Sequence, residues 1–150
     1  MQILLGFCHN LRAWVIQKDA NHFLGYSYYL DGKVVNGYKV GRTLGFPTAN
    51  LRPSCPDKLI PEEGVYAVHA YLKEQRFAGM LNIGHRPTLN NGSDLSIEVH
   101  ILDFNANIYD QSMRIEFVQR IRTEQKFTGL NELIEQLQQD RKEVRKLLLE

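Results

Sequence analysis

The chain has 150 residues, 43% of them hydrophobic and 23% charged, with 18 Lys and Arg against 17 Asp and Glu for a net charge of +1. That length suits one domain whose core needs no disulfide or metal to hold it. The balanced charge argues against a surface that gathers nucleic acid or membrane, and seven Tyr, seven Phe and one Trp spread along the chain argue against disorder.

Residues 1–25 read as an N-terminal linker of weak helical character. Its apolar run, Ile3 to Cys8, is far too short to span a bilayer and has no basic flank. Leu11, Val15 and Ile16 share a helical face, and Ala20 to Leu24 reads as a short turn ending at Gly25. Cys8 and Cys55 have no metal-type spacing. A disulfide fits the count, as do two idle thiols in a reducing compartment, and the second reading places the chain in the cytoplasm.

Residues 26–150 form the second unit, where the hydrophobic period is two. Leu30, Gly32, Val34 and Val35 open a strand, and Gly37 to Gly45 follow as a glycine-rich loop. Gly64 to Lys73 and Phe77 to Ile83 are strands joined by a turn at Glu74-Gln75, and Asn90-Asn91-Gly92-Ser93 is a hairpin turn, since Asn and Gly accept positive φ. Leu95, Ile97, Val99 and Ile101 then alternate with Ser96, Glu98 and His100. Met113, Ile115, Phe117 and Ile121 repeat the pattern, with Arg114, Glu116 and Arg120 opposite. The tail changes to the helical period: Leu130, Leu133, Ile134, Leu137, Val144, Leu147 and Leu148 form one stripe, and Thr128 stands where an N-cap belongs. Five or six short strands and one terminal helix predict a mainly β fold, an antiparallel barrel closed at one end by the helix. A parallel α/β sheet is disfavoured because the connections lack room for crossover helices.

The segment from Gly37 to Asn50 carries the most chemistry. Glycines at 37, 41 and 45 would let backbone amides approach an anion, with Lys39 and Arg42 adding positive charge. Thr48 and Asn50 offer neutral oxygens two positions apart, a donor type that suits a hard cation such as Mg²⁺. A glycine-rich loop that binds nothing fits the same spacing, which is neither a Walker A nor a dinucleotide fingerprint.

Gly41-Arg-Thr-Leu-Gly-Phe-Pro-Thr-Ala-Asn-Leu51 closely resembles the G-R-x-x-G-F-P-T-A-N-L signature of riboflavin kinases, which occur alone or as the C-terminal half of bifunctional FAD synthetases. Gly64-Val-Tyr66, Asn82 to Thr88, Ile97-Glu-Val-His-Ile-Leu-Asp-Phe104 and Ile121-Arg-Thr-Glu-Gln-Lys-Phe127 resemble further family segments in the family's order. The resemblance implies a six-stranded antiparallel Greek-key barrel with a C-terminal helix. It implies transfer of phosphate from ATP, with Mg²⁺, to the 5′-hydroxyl of riboflavin, giving FMN. By the matched motifs, Thr48 and Asn50 would reach the Mg²⁺, and Gly37 and Arg42 would contact ATP phosphates, with Lys39 a weaker candidate. Glu98 matches the catalytic glutamate that takes the hydroxyl proton; taken alone it reads as a solvated residue on a strand's polar face. Tyr109 matches a tyrosine near the nucleotide, and ring packing in the barrel mouth is its alternative. Arg122 and Phe127 match positions that contact the flavin; a surface charge and a helix staple are the bland readings.

The chain departs from the family at Tyr109-Asp110, where Tyr-Gly is common. His100, on the face of Glu98, reads as a structural histidine or a partner of that glutamate. The H-x-G-H type motif of the adenylyltransferase half is absent, so FAD synthesis is not expected of these residues, although such a domain could accompany them in a longer protein. An inactive flavin- or nucleotide-binding module on the same barrel is the alternative, against which the presence of Thr48, Asn50 and Glu98 counts. A nucleic-acid-binding barrel would call for a clearly positive charge.

Overall fold

The computed structural model describes residues 21–22, 24–37, 40–87 and 93–150. In chain order these hold β1 (Tyr29–Val35), α1 (Val40–Thr43), β2 (Ala49–Pro53), β3 (Gly64–Leu72), β4 (Gln75–Pro87), β5 (Ser93–Ile101), β6 (Ser112–Arg122) and α2 (Leu130–Leu148). Among the described residues, no helix is long and apolar enough to cross a membrane.

The six strands close into an antiparallel barrel in the order β1-β2-β5-β4-β3-β6, with β6 returning to β1. This agrees with the expected mainly β, six-stranded Greek-key barrel and its C-terminal helix. Alternation sends one set of side chains inward: Leu30 and Val34 from β1, Val68 from β3, Leu81 and Ile83 from β4, Val99 from β5 and Ile115 from β6 are all buried in one cluster. Tyr66 and Phe117 meet edge to face at its centre, with ring centroids 5.3 Å apart. A second cluster lies outside the barrel, where α2 covers Val65, Ala67 and Met80 with Val144 and Leu137.

Local differences from the periodic reading have physical causes. The glycine-rich segment is not all loop, since Val40–Thr43 make one helical turn. The β3–β4 hairpin turns at Lys73-Glu74, one residue earlier than expected, because Leu72 pairs with Gln75 and Lys73 takes a positive φ of 56°. Irregularities in the β3–β6 register, between Val65 and Tyr66 and between Ala67 and Val68, reverse the inward face of β6. Ile121 therefore packs on the outer cluster rather than with Met113, Ile115 and Phe117 inside.

At the head of α2 the N-cap is Gly129, which makes no side-chain cap bond; Thr128 stands one residue before it. Both the Thr128 N–H and its hydroxyl donate to Glu132, so the acidic side chain reaches back over the first turn as in a capping box. Leu130 and Leu147 of the expected stripe are exposed, and Asp140 takes the buried place between Leu137 and Val144. Most of the expected linker, the Asn90–Gly92 part of the expected hairpin turn, Cys8 and Lys39 lie outside the described residues. Cys55 is exposed.

Candidate active site

Strand register builds a row of side chains across the outer face of five strands. Asn50 of β2 pairs with Glu98 of β5, Glu98 with Asn82 of β4, Asn82 with Val65 of β3, and Val65 with Arg122 of β6. Directly paired residues share a face, roughly 5 Å apart at Cβ. Five positions scattered from 50 to 122 thus become neighbours, and Glu98 sits in the row because Ile97 and Val99 beside it point inward.

A tight corner between α1 and β2 sets the next group. The Phe46 N–H donates to the Gly41 carbonyl at 2.8 Å, and a Cβ on Gly41 would come within 2.3 Å of the Phe46 oxygen, so only glycine permits this approach. Gly37 is held to glycine by Asn50, whose carboxamide nitrogen would lie 1.9 Å from an added Cβ. That space is therefore filled by the Asn50 side chain. On the far side of the corner the His100 Nδ1 and the Pro47 carbonyl are 2.9 Å apart, and the Phe46 ring meets the imidazole at 5.4 Å. His100 is 7% exposed. Burial first, then the charge of Arg141, lowers its pKa, so the ring is neutral and donates through Nδ1–H; the Pro47 bond and Asp103 oppose the shift. This clamp presents Thr48, whose hydroxyl donates to Glu98 Oε2 at 3.1 Å.

Two cavities meet here. One, of about 250 Å³, lies between the outer barrel face and α2; Thr48, Asn82, Glu98, Arg122 and Phe127 line it, with Leu133 and Leu137 of the helix as its apolar roof. The other, of about 720 Å³, opens at the barrel mouth between Arg42, Pro47, Thr48 and the 104–109 segment that includes Tyr109. Thr48 borders both. The first cavity is held rigid at one end by Arg122, whose guanidinium pairs with Asp140 of α2 at 2.8 Å and lies over the Phe127 ring at 5.8 Å. Glu124, also on its wall, has a carboxyl raised above the usual range by burial and by the hydrogen-bonded Glu63 carboxyl.

The structure thus brings Thr48, Glu98, Arg122 and Phe127 to one cavity and Arg42, Tyr109 and Thr48 to the other. Gly37 lies apart from both linings, behind Asn50. Tyr109 is half-buried against the barrel core, and its N–H donates to Asn107 Oδ1 at 3.1 Å. Asp110, in place of the common glycine, adopts a φ of 64°, the conformation a glycine takes without strain. Sequence reasoning passed over Asn82, Asp140 and the bond from His100 to Pro47. A signal for Asp140 was present: a carboxylate at 140 interrupts the apolar series 133, 137, 144.

A closed barrel thus carries two cavities bordered by one hydroxyl, with a carboxylate bonded to that hydroxyl, which gives room for two ligands beside one polar pair. The sequence profile of the Flavokinase family, described as riboflavin kinase, matches residues 24–148. The chain belongs to the riboflavin kinase family. It is 45% identical over 128 residues to the bifunctional riboflavin kinase/FMN adenylyltransferase of Listeria monocytogenes, covering 85% of this chain and 40% of that protein. The protein of the same description from Bacillus subtilis is 43% identical over 126 residues, covering 83% and 40%. The chain therefore spans about two fifths of the length of these curated relatives. Among solved structures, one from Streptococcus pneumoniae described as a macrolide-efflux protein superposes with a TM-score of 0.82 at 33% identity, covering 91% of this chain and 45% of that one. The riboflavin kinase of Trypanosoma brucei shares the fold, with a TM-score of 0.54 at 23% identity over 81% of this chain and 80% of that one.

Proposed function

We propose that this domain transfers the γ-phosphate of ATP to the 5′-hydroxyl of riboflavin, giving FMN and ADP. The observation that carries this reading is the placement of Thr48: it borders both cavities and is bonded to Glu98. ATP would occupy the larger cavity, with Arg42 and Tyr109 toward its polyphosphate and base side and Gly37 supporting the wall through Asn50. Riboflavin would occupy the smaller one, its ring against Arg122 and Phe127 and its ribityl end toward Glu98. Glu98 orients the 5′-hydroxyl and accepts its proton as the new O–P bond forms and the bond to the ADP oxygen breaks. With so little covalent chemistry required, positioning and charge do most of the catalysis.

The donor set fits Mg²⁺. Thr48, in the corner before β2, and Asn50 of β2 supply neutral oxygens, the first bonded to the Glu98 carboxylate and the second paired with Glu98 across the strands. When bound, the ion would neutralise charge on the phosphate oxygens; Thr48 and Asn50 are the residues to hold it. On this reading the kinase domain comprises residues 26–150 of a cytoplasmic protein, and the family match begins two residues earlier, at 24. It is confined to the kinase step; the adenylyl transfer named for the bifunctional relatives is not part of it.

Incubating the purified chain with riboflavin, ATP and Mg²⁺ should yield FMN by chromatography. A folded protein that forms none overturns the reading, and one that binds riboflavin without converting it would be a flavin-binding module on the same barrel.

A further inference from the structure

Asp140 has no part in the reaction above, yet it is 1% exposed in the middle of the apolar face of α2. A leucine there would continue the series Leu133, Leu137, Val144 and dock the helix without desolvating a charge. Burying a carboxylate is costly unless it is paired and hydrogen-bonded, so docking alone does not account for it. Its bonds point to what does. Arg122 Nε lies 3.0 Å from both Asp140 oxygens, and Nη2 donates to Oδ2 at 2.8 Å. The Arg122 Nη1 donates to the Thr123 carbonyl at 3.0 Å, and Gln136 Nε2 holds Asp140 Oδ1 from behind at 2.9 Å. A guanidinium has five N–H groups in a rigid plane. These bonds engage Nε and one hydrogen on each terminal nitrogen, which leaves one further N–H on each Nη of a residue that lines the smaller cavity.

Two consequences follow from charge and geometry. The plane of Arg122 is locked from α2, and the pair as a whole is neutral. An unpaired arginine would attract phosphate; one neutralised by a buried carboxylate offers directed donors without net charge. Such a wall suits an uncharged ring bearing carbonyl acceptors and disfavours a nucleotide polyphosphate. We infer that Asp140, backed by Gln136, is the positioning residue that fixes Arg122 for the flavin and makes the smaller cavity select the neutral substrate. The inference rests on the riboflavin kinase reading and extends that site onto the helix.

The test is Asp140→Asn, which keeps the shape but removes the charge. Riboflavin fluorescence titration should show Kd weakened about tenfold, as for a lost charge-assisted bond. The main Kd for ATP, titrated separately, should stay within about twofold, while a second, weaker ATP site that competes with riboflavin appears, because Arg122 has lost its counter-charge. The double variant Arg122→Asp with Asp140→Arg restores a buried pair from the opposite sides; its Tm should recover relative to Asp140→Asn while riboflavin affinity does not. Should Asp140→Asn fail to fold, Gln136→Leu decides, since it leaves the ion pair in place: about threefold weaker riboflavin binding at unchanged ATP affinity is expected. Unchanged riboflavin affinity in a folded Asp140→Asn, or in Gln136→Leu where that variant decides, overturns the inference, as does recovery of riboflavin affinity by the swapped pair. Wild-type protein that makes FMN alongside such a result leaves the kinase reading intact. Wild-type protein that neither binds nor converts riboflavin removes the reading beneath it.

Discussion

Glu98 owes its position to Asn50 and Asn82 on the two flanking strands, β2 and β4, and to the Thr48 hydroxyl bonded to its carboxylate. Glu98→Gln preserves the side-chain volume and an acceptor for Thr48 but cannot take a proton. FMN formation in single-turnover experiments should fall by about 10²- to 10⁴-fold, while ADP affinity and Tm stay near wild type. Wild-type turnover in that variant would remove Glu98 as the base. His100 makes a different kind of contribution, through pH. Its pKa is lowered by burial and by Arg141, so the folded state favours the neutral ring. As pH falls below the ordinary value of 6.5, the unfolded chain takes up this proton first, and stability declines until the lowered folded value is passed. His69 is lowered too, by burial and Arg76, so it contributes in the same direction and must be held constant. Urea denaturation at pH 7.5 and at about pH 5 should show wild type losing more stability than His100→Gln, which keeps His69. Equal losses in the two proteins would refute the assignment. Asp110 shows how a family departure can be absorbed: Asp tolerates the left-handed backbone better than most residues, and its carboxylate lies 3.4 Å from Lys33.

Helix α2 is where sequence and structure part company most usefully. Its period was legible, but the 3.6-residue pattern does not say which residues of a broad stripe meet the barrel, and Leu130 at 59% exposure lies beyond the contact. Val144 sits at the centre of the outer cluster and is fully buried. Val144→Ala should cost about 2 kcal/mol in urea unfolding, through two lost methyl groups and the cavity they leave. Because α2 also roofs the smaller cavity, riboflavin affinity should weaken with it under the kinase reading; a stability loss below about 0.5 kcal/mol would mean that α2 does not pack as described. The strands were read with uneven success for a related reason. Alternation exposes β1, β3, β5 and most of β4 and β6, where several apolar residues face one side. β2 gave no such signal: of Ala49-Asn50-Leu51-Arg52-Pro53 only Leu51 is buried. The reversal at Ile121 was hidden because a bulge depends on the partner strand, which local periodicity cannot contain. The motif made Thr48, Asn50 and Glu98 visible one by one. Their proximity was not, since the register that pairs residue 50 with residue 98 is set by barrel closure.

At the scale of the whole molecule, the barrel keeps two cavities on different walls and lets them meet at one residue. The larger cavity is framed by the barrel mouth and the 104–109 segment, the smaller by the outer sheet face, α2 and the 124–127 segment; Thr48 is common to both. Under the kinase reading, neither ligand has to leave before the other enters, so transfer should pass directly from donor to acceptor within a ternary complex. Initial rates measured over a matrix of riboflavin and ATP concentrations should then give intersecting double-reciprocal lines. Riboflavin should also bind in the presence of a non-hydrolysable ATP analogue, with its Kd shifted by less than about fivefold, since the two sites share only one side chain. Parallel lines, together with a phosphorylated protein trapped in the absence of riboflavin, would instead require a covalent intermediate on the chain. That outcome would move Glu98 from orienting the acceptor, or Thr48 from holding the metal, to carrying the phosphoryl group, because these are the two nucleophilic side chains bonded to each other where the cavities meet.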